Sequence, residues 1–171
     1  MNAEDRILFL RYALPCASTL VKRGSTTQEN VDRMTGMVSE GIAPEDGAEK
    51  IFKVAIAMCN SIARRMGKDT IDAEVIRRYF LMEHSEVVDE RYGLMGDFDP
   101  VACKTYPGKV ISTDGGFAVV ETRLGSMRYK TVLARDTKEG DLVSVHYDFV
   151  IEKIDAQTAE EMRHASHEKR D

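Results

Sequence analysis

Helical periodicity runs out near residue 92, and that break constrains the fold more than any other feature of the chain. Two glycines, two aspartates and a proline crowd the eight positions from Gly93 to Pro100, a composition that interrupts regular structure. Beyond it the pattern changes from helical spacing to short apolar runs bounded by turn residues. Strand-like segments are predicted at 109–112, 117–122, 127–133, 142–146 and 149–154. Asp114-Gly115-Gly116, Gly125-Ser126 and Lys138-Glu139-Gly140-Asp141 supply turns between them. Five short strands at regular spacing predict a small closed or partly closed barrel, OB-like in class. A polar helix over 156–168 follows, with Ala159 and Met162 as its docking side chains. The expected fold is therefore α+β. A helical domain spans 1–92, a linker 93–102, and a β-barrel with a C-terminal helix 103–171.

The first part is helical by spacing. Leu10, Leu14, Ala17 and Val21 share one face of a segment that Pro15 kinks near Leu14 and Gly24 stops. Thr26 with Glu29 fits a capping box for a second helix, which carries Val31, Met34 and Val38 and ends at Gly41. Pro44 suits the first position of a third helix, where Glu45 and Asp46 would complement the helix dipole. This third helix would run to Gly67, and Asp69 or Thr70 would cap a fourth that reaches Glu90.

With 171 residues, 43% of them hydrophobic and 31% charged, the chain is long and apolar enough to bury a core. A net charge of −5 argues against a generally basic nucleic-acid binder. No apolar run approaches the roughly 18 residues that cross a bilayer, and the acidic start, Met1-Asn2-Ala3-Glu4-Asp5, has no basic region of a signal peptide. No membrane partner is expected. Cys16, Cys59 and Cys103 are odd in number, widely spaced and without a C-x-x-C pair, so neither a disulfide framework nor a structural zinc ribbon is predicted. Reduced thiols in the cytoplasm are the simplest expectation. No G-x-S-x-G, P-loop or G-x-G-x-x-G occurs, and no nucleophile-base-acid set is visible, so an enzyme in the strict sense is not expected.

One thiol stands apart. Cys103 opens Cys103-Lys104-Thr105-Tyr106-Pro107-Gly108-Lys109-Val110 at the edge of the predicted barrel, and His146 closes Gly140-Asp141-Leu142-Val143-Ser144-Val145-His146. The first segment resembles the opening C-x-x-x-P-G-x-V of the hydrogenase assembly chaperones, the HypC/HupF family. The second, with the following Phe149 to Ile154, is similar to that family's closing part. Ala159-Glu160-Glu161 resembles its terminal helix. The resemblance covers about a third of the chain, from Cys103 to Met162. It implies a maturation chaperone for [NiFe]-hydrogenase that binds a HypD-like scaffold and carries iron bearing cyanide and carbonyl ligands to the large-subunit precursor. Cys103 and His146 would be the metal residues, with Lys104, Tyr106, Pro107 and Gly108 meeting the partner. No permanent cofactor is implied, only transient iron. In the family the cysteine follows the initiator methionine, whereas here it is internal. A free amine at Cys103 would require cleavage after Ala102.

The chemistry suits that expectation. Low-spin iron with cyanide and carbonyl is a soft centre that prefers thiolate to carboxylate. A thiol of pKa near ~8.5 needs a cation, a metal or an imidazole nearby to ionise at neutral pH, and Lys104 and His146 are candidates. The remaining polar residues read as ordinary. Cys16 and Cys59 lie on apolar helix faces as structural thiols. His84 stands among Glu83, Glu86, Asp89 and Glu90, a solvated face by composition. His164 and His167 belong to an exposed tail. Two other functions compete: a single-stranded nucleic-acid barrel using Arg123, Arg128, Tyr129, Lys130 and Arg135, and a non-catalytic assembly protein that keeps the barrel without the metal.

Overall fold

A computed structural model describes residues 1–92 and 99–165, and divides the chain into two units, Met1–Phe80 and Leu81–Asp171. Residues 93–98 of the predicted linker 93–102, and the last predicted helical residues, 166–168, lie outside the described residues.

The first unit is helical. Helix α1 (Ala3–Ala13) starts at Asn2, whose side chain accepts from the Asp5 N–H at 2.8 Å. At Pro15 the chain tightens into a 3-10 turn, Leu14–Cys16, before α2 (Ala17–Lys22), because proline has no N–H to continue the ladder. Helix α3 (Gln28–Ser39) is capped by Thr27 rather than Thr26. Thr27 accepts from the Asn30 N–H, while Thr26 takes the Asn30 side-chain amide. Phe9 and Phe80 meet edge-on at 5.7 Å, and Tyr12 stacks on Phe80 at 4.9 Å.

The third predicted helix begins later than its sequence suggests. Helix α4 (Lys53–Arg65) starts nine residues past Pro44, after a 3-10 turn at Ala48–Ile51. The buried Arg6 side chain explains the delay. Its guanidinium donates to the Pro44 carbonyl and to Glu49, and it pairs with Asp46. Glu45 instead pairs with Arg33, and Gly47 takes a left-handed φ of +91° that a helix does not allow. The acidic residues expected to serve a helix dipole thus pair with two cations, Arg33 and Arg6. Helix α5 (Ala73–Arg77) is capped by Asp72, not Asp69 or Thr70, through a 3.0 Å bond from the Val75 N–H. A π-helical stretch, Arg78–Glu83, then leads in sequence to α6 (His84–Tyr92).

The second unit contains α6, which the sequence had grouped with the helical domain, and a closed five-stranded barrel, which it had predicted. Its strands are β1 (Thr105–Asp114), β2 (Phe117–Thr122), β3 (Gly125–Lys130), β4 (Leu142–His146) and β5 (Phe149–Lys153), ordered β1-β2-β3-β5-β4, with β4 closing on β1. Neighbours are antiparallel except β3 and β5. Gly115 and Gly116, both with positive φ, make the tight β1–β2 turn as the sequence implied. Strand β3 starts two residues earlier than expected, at Gly125, and stops at Lys130. The turn before it is Arg123-Leu124, and Leu133 is buried beyond the strand. The Gly140-Asp141 turn is held by Asp141, whose carboxylate accepts from the Lys138 N–H at 2.8 Å and pairs with Lys153. Those contacts, the backbone bond first, hold its acid below the usual carboxylate range. Val110, Val120, Val143, Val145 and Val150 fill the interior. Helix α7 (Ala156–Ala165) packs on β1 and β4 with Ala159 and Met162 buried.

Candidate metal centre

Strand pairing places Cys103 and His146 together. Thr105 on β1 faces His146 on β4, the last pair in that register. One step further the Tyr147 N–H donates to the Ala102 carbonyl at 3.0 Å, so the turn before β1 is stitched to the turn after β4. Tyr147 takes a left-handed φ of 52° to begin that second turn. Upstream, Asp99 organises 99–103. Its side chain accepts from the Val101 and Ala102 N–H groups at 2.9 and 3.1 Å, and its carbonyl accepts from the Cys103 N–H. Cys103 is thus anchored on both sides, and its amide is committed within the turn. What the residue offers chemically is its sulfur.

That sulfur lies at the edge of the barrel but is not open to solvent there. Cys103 is only 4% exposed and His146 is 0% exposed. The surroundings are not merely apolar, however, because a third polar side chain enters from α6. The ligating atoms of His84, Cys103 and His146 all lie within 4.8 Å of one another. The two imidazoles meet edge-on, with ring centroids 5.2 Å apart. Burial pushes the His84 imidazole below its ordinary pKa, and His146 acts in the same direction. A hydrogen bond with Cys103 pulls it back up. A second tie joins α6 to the turn, where Lys104 Nζ pairs with Asp89 at 2.7 Å.

The sequence had put His84 on a solvated face, and this is the site residue it missed. A signal was present. Leu81, Val87 and Val88 stand at i−3, i+3 and i+4 from His84, so its helix face is apolar although its sequence neighbours are acidic. Both valines are buried, and His84 with them.

Three of the four expected docking residues have structural positions. Tyr106, Pro107 and Gly108 are buried in β1, opposite Val145, Ser144 and Val143. The Tyr106 hydroxyl donates to the Val101 carbonyl at 2.9 Å. Gly108 leaves no room for a side chain, since an added Cβ would lie 2.5 Å from a Val120 methyl and 2.9 Å from the Glu121 carbonyl. In this structure all three are covered by the chain itself. Lys104 is half-buried and paired, and Val101, 49% exposed, is the apolar side chain that this turn shows to solvent.

Residues 103–165 match the model of the HupF/HypC family. The match takes in the barrel and its closing helix, a little over a third of the chain, and the family is one of hydrogenase maturation chaperones. His84 lies outside the matched residues. No curated protein matches the chain. Among the described residues, no helix is long and apolar enough to cross a membrane.

Cys59 is buried on α4, as a structural thiol should be, and Cys16 is half-buried in the 3-10 turn. His164 is exposed beside Glu160, and His167 lies outside the described residues. The basic face proposed for single strands is occupied by the barrel's own aromatics. Arg128 lies over Phe117 at 4.0 Å, Lys130 over Phe149 and Arg123 over Tyr106, both at 5.0 Å, while Tyr129 is buried. A buried tyrosine cannot stack on a base.

Proposed function

We propose that this protein serves [NiFe]-hydrogenase maturation as a carrier. Its barrel unit docks on a HypD-like scaffold, takes up iron bearing cyanide and carbonyl ligands at Cys103 and His146, and passes it to the large-subunit precursor. The observation that carries this reading is the coincidence of the family match with a thiol and an imidazole brought within 4.8 Å by the β1–β4 register.

The iron fragment is cargo, and the site's chemistry suits cargo. One thiolate gives a soft centre a strong bond that a competing thiolate can replace by ligand exchange. The imidazole beside it can help hold the sulfur ionised, or orient it, through a ring nitrogen. Burial keeps water from the carried fragment, so loading and release require the turn at 100–104 to open. That turn is built for local opening. Its own backbone bonds, Cys103 to Asp99 and Lys104 to Val101, are long at 3.2 and 3.3 Å, so opening it costs chiefly the Tyr147–Ala102 bond and the Lys104–Asp89 pair. Val101 marks the face from which a partner reaches it.

The test is anaerobic co-expression with a HypD-like scaffold, followed by infrared spectroscopy of the purified chain. Cyanide and carbonyl bands in the wild type, lost in Cys103→Ala, are expected. A wild-type protein that co-purifies with the scaffold and shows no such bands overturns the carrier reading. It leaves instead an assembly protein without metal handling.

A further inference from the structure

His84, Cys103 and His146 come from three elements far apart in sequence: a helix that precedes the family module, the turn before β1, and the end of β4. Burying one imidazole is ordinary in a core. Burying two imidazoles and a thiol with their donor atoms within 4.8 Å is costly unless the group is satisfied together. We propose that His84 is a third metal ligand, making with Cys103 and His146 a nitrogen-nitrogen-sulfur set for a borderline-soft divalent cation. This rests on the reading of Cys103 and His146 as metal residues, and extends the site beyond the module that the family defines.

The donor chemistry fits that class. Thiolate and imidazole together suit zinc, iron, cobalt and nickel, and exclude magnesium and calcium, which take oxygen. Metal–nitrogen and metal–sulfur bonds of about 2.0 and 2.3 Å place the tetrahedral donors of such a set roughly 3.3–3.5 Å apart. Donors within 4.8 Å therefore close on an ion by small side-chain rotations, without moving a strand. The Lys104–Asp89 pair and the π-helical stretch just before His84 give α6 its local anchor and its irregular start. Such stretches recur at functional sites. The consequence is that α6 is part of the metal site, so residues outside the matched module set its affinity.

Cobalt(II) alone is the probe, added anaerobically to the reduced, full-length chain without scaffold or iron fragment. The wild type is expected to bind one equivalent, with thiolate-to-cobalt charge transfer and tetrahedral d–d absorption, and to melt at a higher temperature when loaded. Cys103→Ser should abolish the charge-transfer band. His84→Gln and His84→Ala should each weaken binding at least tenfold. Folded His84 variants that bind cobalt like the wild type overturn the proposal while leaving the Cys103 carrier intact. A wild type that binds no cobalt also overturns it, and the infrared test of cargo then stands separately. Nitrogen-15 histidine labelling of the wild-type cobalt protein decides the matter without any variant. Two coordinated imidazoles support the assignment, and one overturns it.

Discussion

Each unit buries a knot of polar side chains, and the two knots differ in kind. In the helical unit a cation, Arg6, is met by its own acceptors: the Glu49 carboxylate at 3.1 Å, the Pro44 carbonyl at 3.2 Å, and Asp46. The charges balance inside the protein, and the knot explains itself as structure. In the barrel unit the gathered groups are two imidazoles and a thiol, each a donor of electron pairs. Together they make a set that a positive ion can join. Buried polarity alone therefore does not mark a functional site, whereas a gathering of metal-ligating side chains makes a candidate one.

The largest expected effect tests the closed knot. Arg6→Ala leaves Glu49 buried without its cation and should cost about 3 kcal/mol in chemical denaturation. Asp46→Asn should cost no more than about 0.5 kcal/mol, because that side chain is 93% exposed. Cys103→Ala, measured in chelator, should cost about 1 kcal/mol, since the thiol then acts only as a small apolar group. The contrast between the knots breaks if Cys103→Ala destabilises the metal-free protein as much as Arg6→Ala does.

Gly108→Ala should follow at about 2 kcal/mol, because the new methyl meets Val120 and the Glu121 carbonyl and the barrel must spread to admit it. A thermal melt checks this, and an unchanged midpoint means that the barrel wall is softer than its packing implies. Gly108 also shows what the sequence could and could not convey. Local signals were legible: the glycine turns, the Pro15 break, the five strands and the docking face of α7 all follow from residue type and spacing. Signals written across distance were not. Pro-Gly in β1 looks the same whether it greets a partner or packs under Val120. Pro44 looks like a helix start until Arg6, 38 residues upstream, claims its carbonyl. Cys103 and His146 were legible as candidate site residues only through family resemblance, because their proximity depends on the β1–β4 register. His84 was hidden by its acidic neighbours, although its apolar i±3 and i+4 companions pointed inward.

Acid should separate the knots more gently. Burial lowers the His84 pKa, so below about 6.5 the unfolded chain binds a proton that the folded chain resists. Stability is then lost as pH falls from the unfolded value toward the lower folded one, and is fully present above that window. In chelator the denaturation midpoint should decline across this range, and His84→Gln, which cannot take the proton, should flatten the decline. A wild-type profile that stays level from neutrality to the folded pKa contradicts a neutral buried His84.

The smallest expected effect concerns the tie between α6 and the turn. Lys104 is mostly covered, yet its partner Asp89 is 60% exposed, so solvent screens the pair and Lys104→Ala should cost less than about 1 kcal/mol. Its influence on cobalt affinity should exceed its influence on folding. The pair holds the helix that carries His84 beside the turn that carries Cys103, and a donor left to wander must be ordered again by the ion. A several-fold weaker cobalt affinity with an almost unchanged melting temperature is therefore the expected signature, and charge reversal at both positions, Lys104→Asp with Asp89→Lys, should restore it. If Lys104→Ala lowers stability and affinity in proportion, the pair supports the fold at large rather than the placement of His84. The distinction between the two knots is then less sharp, because both would be held by charges that serve structure.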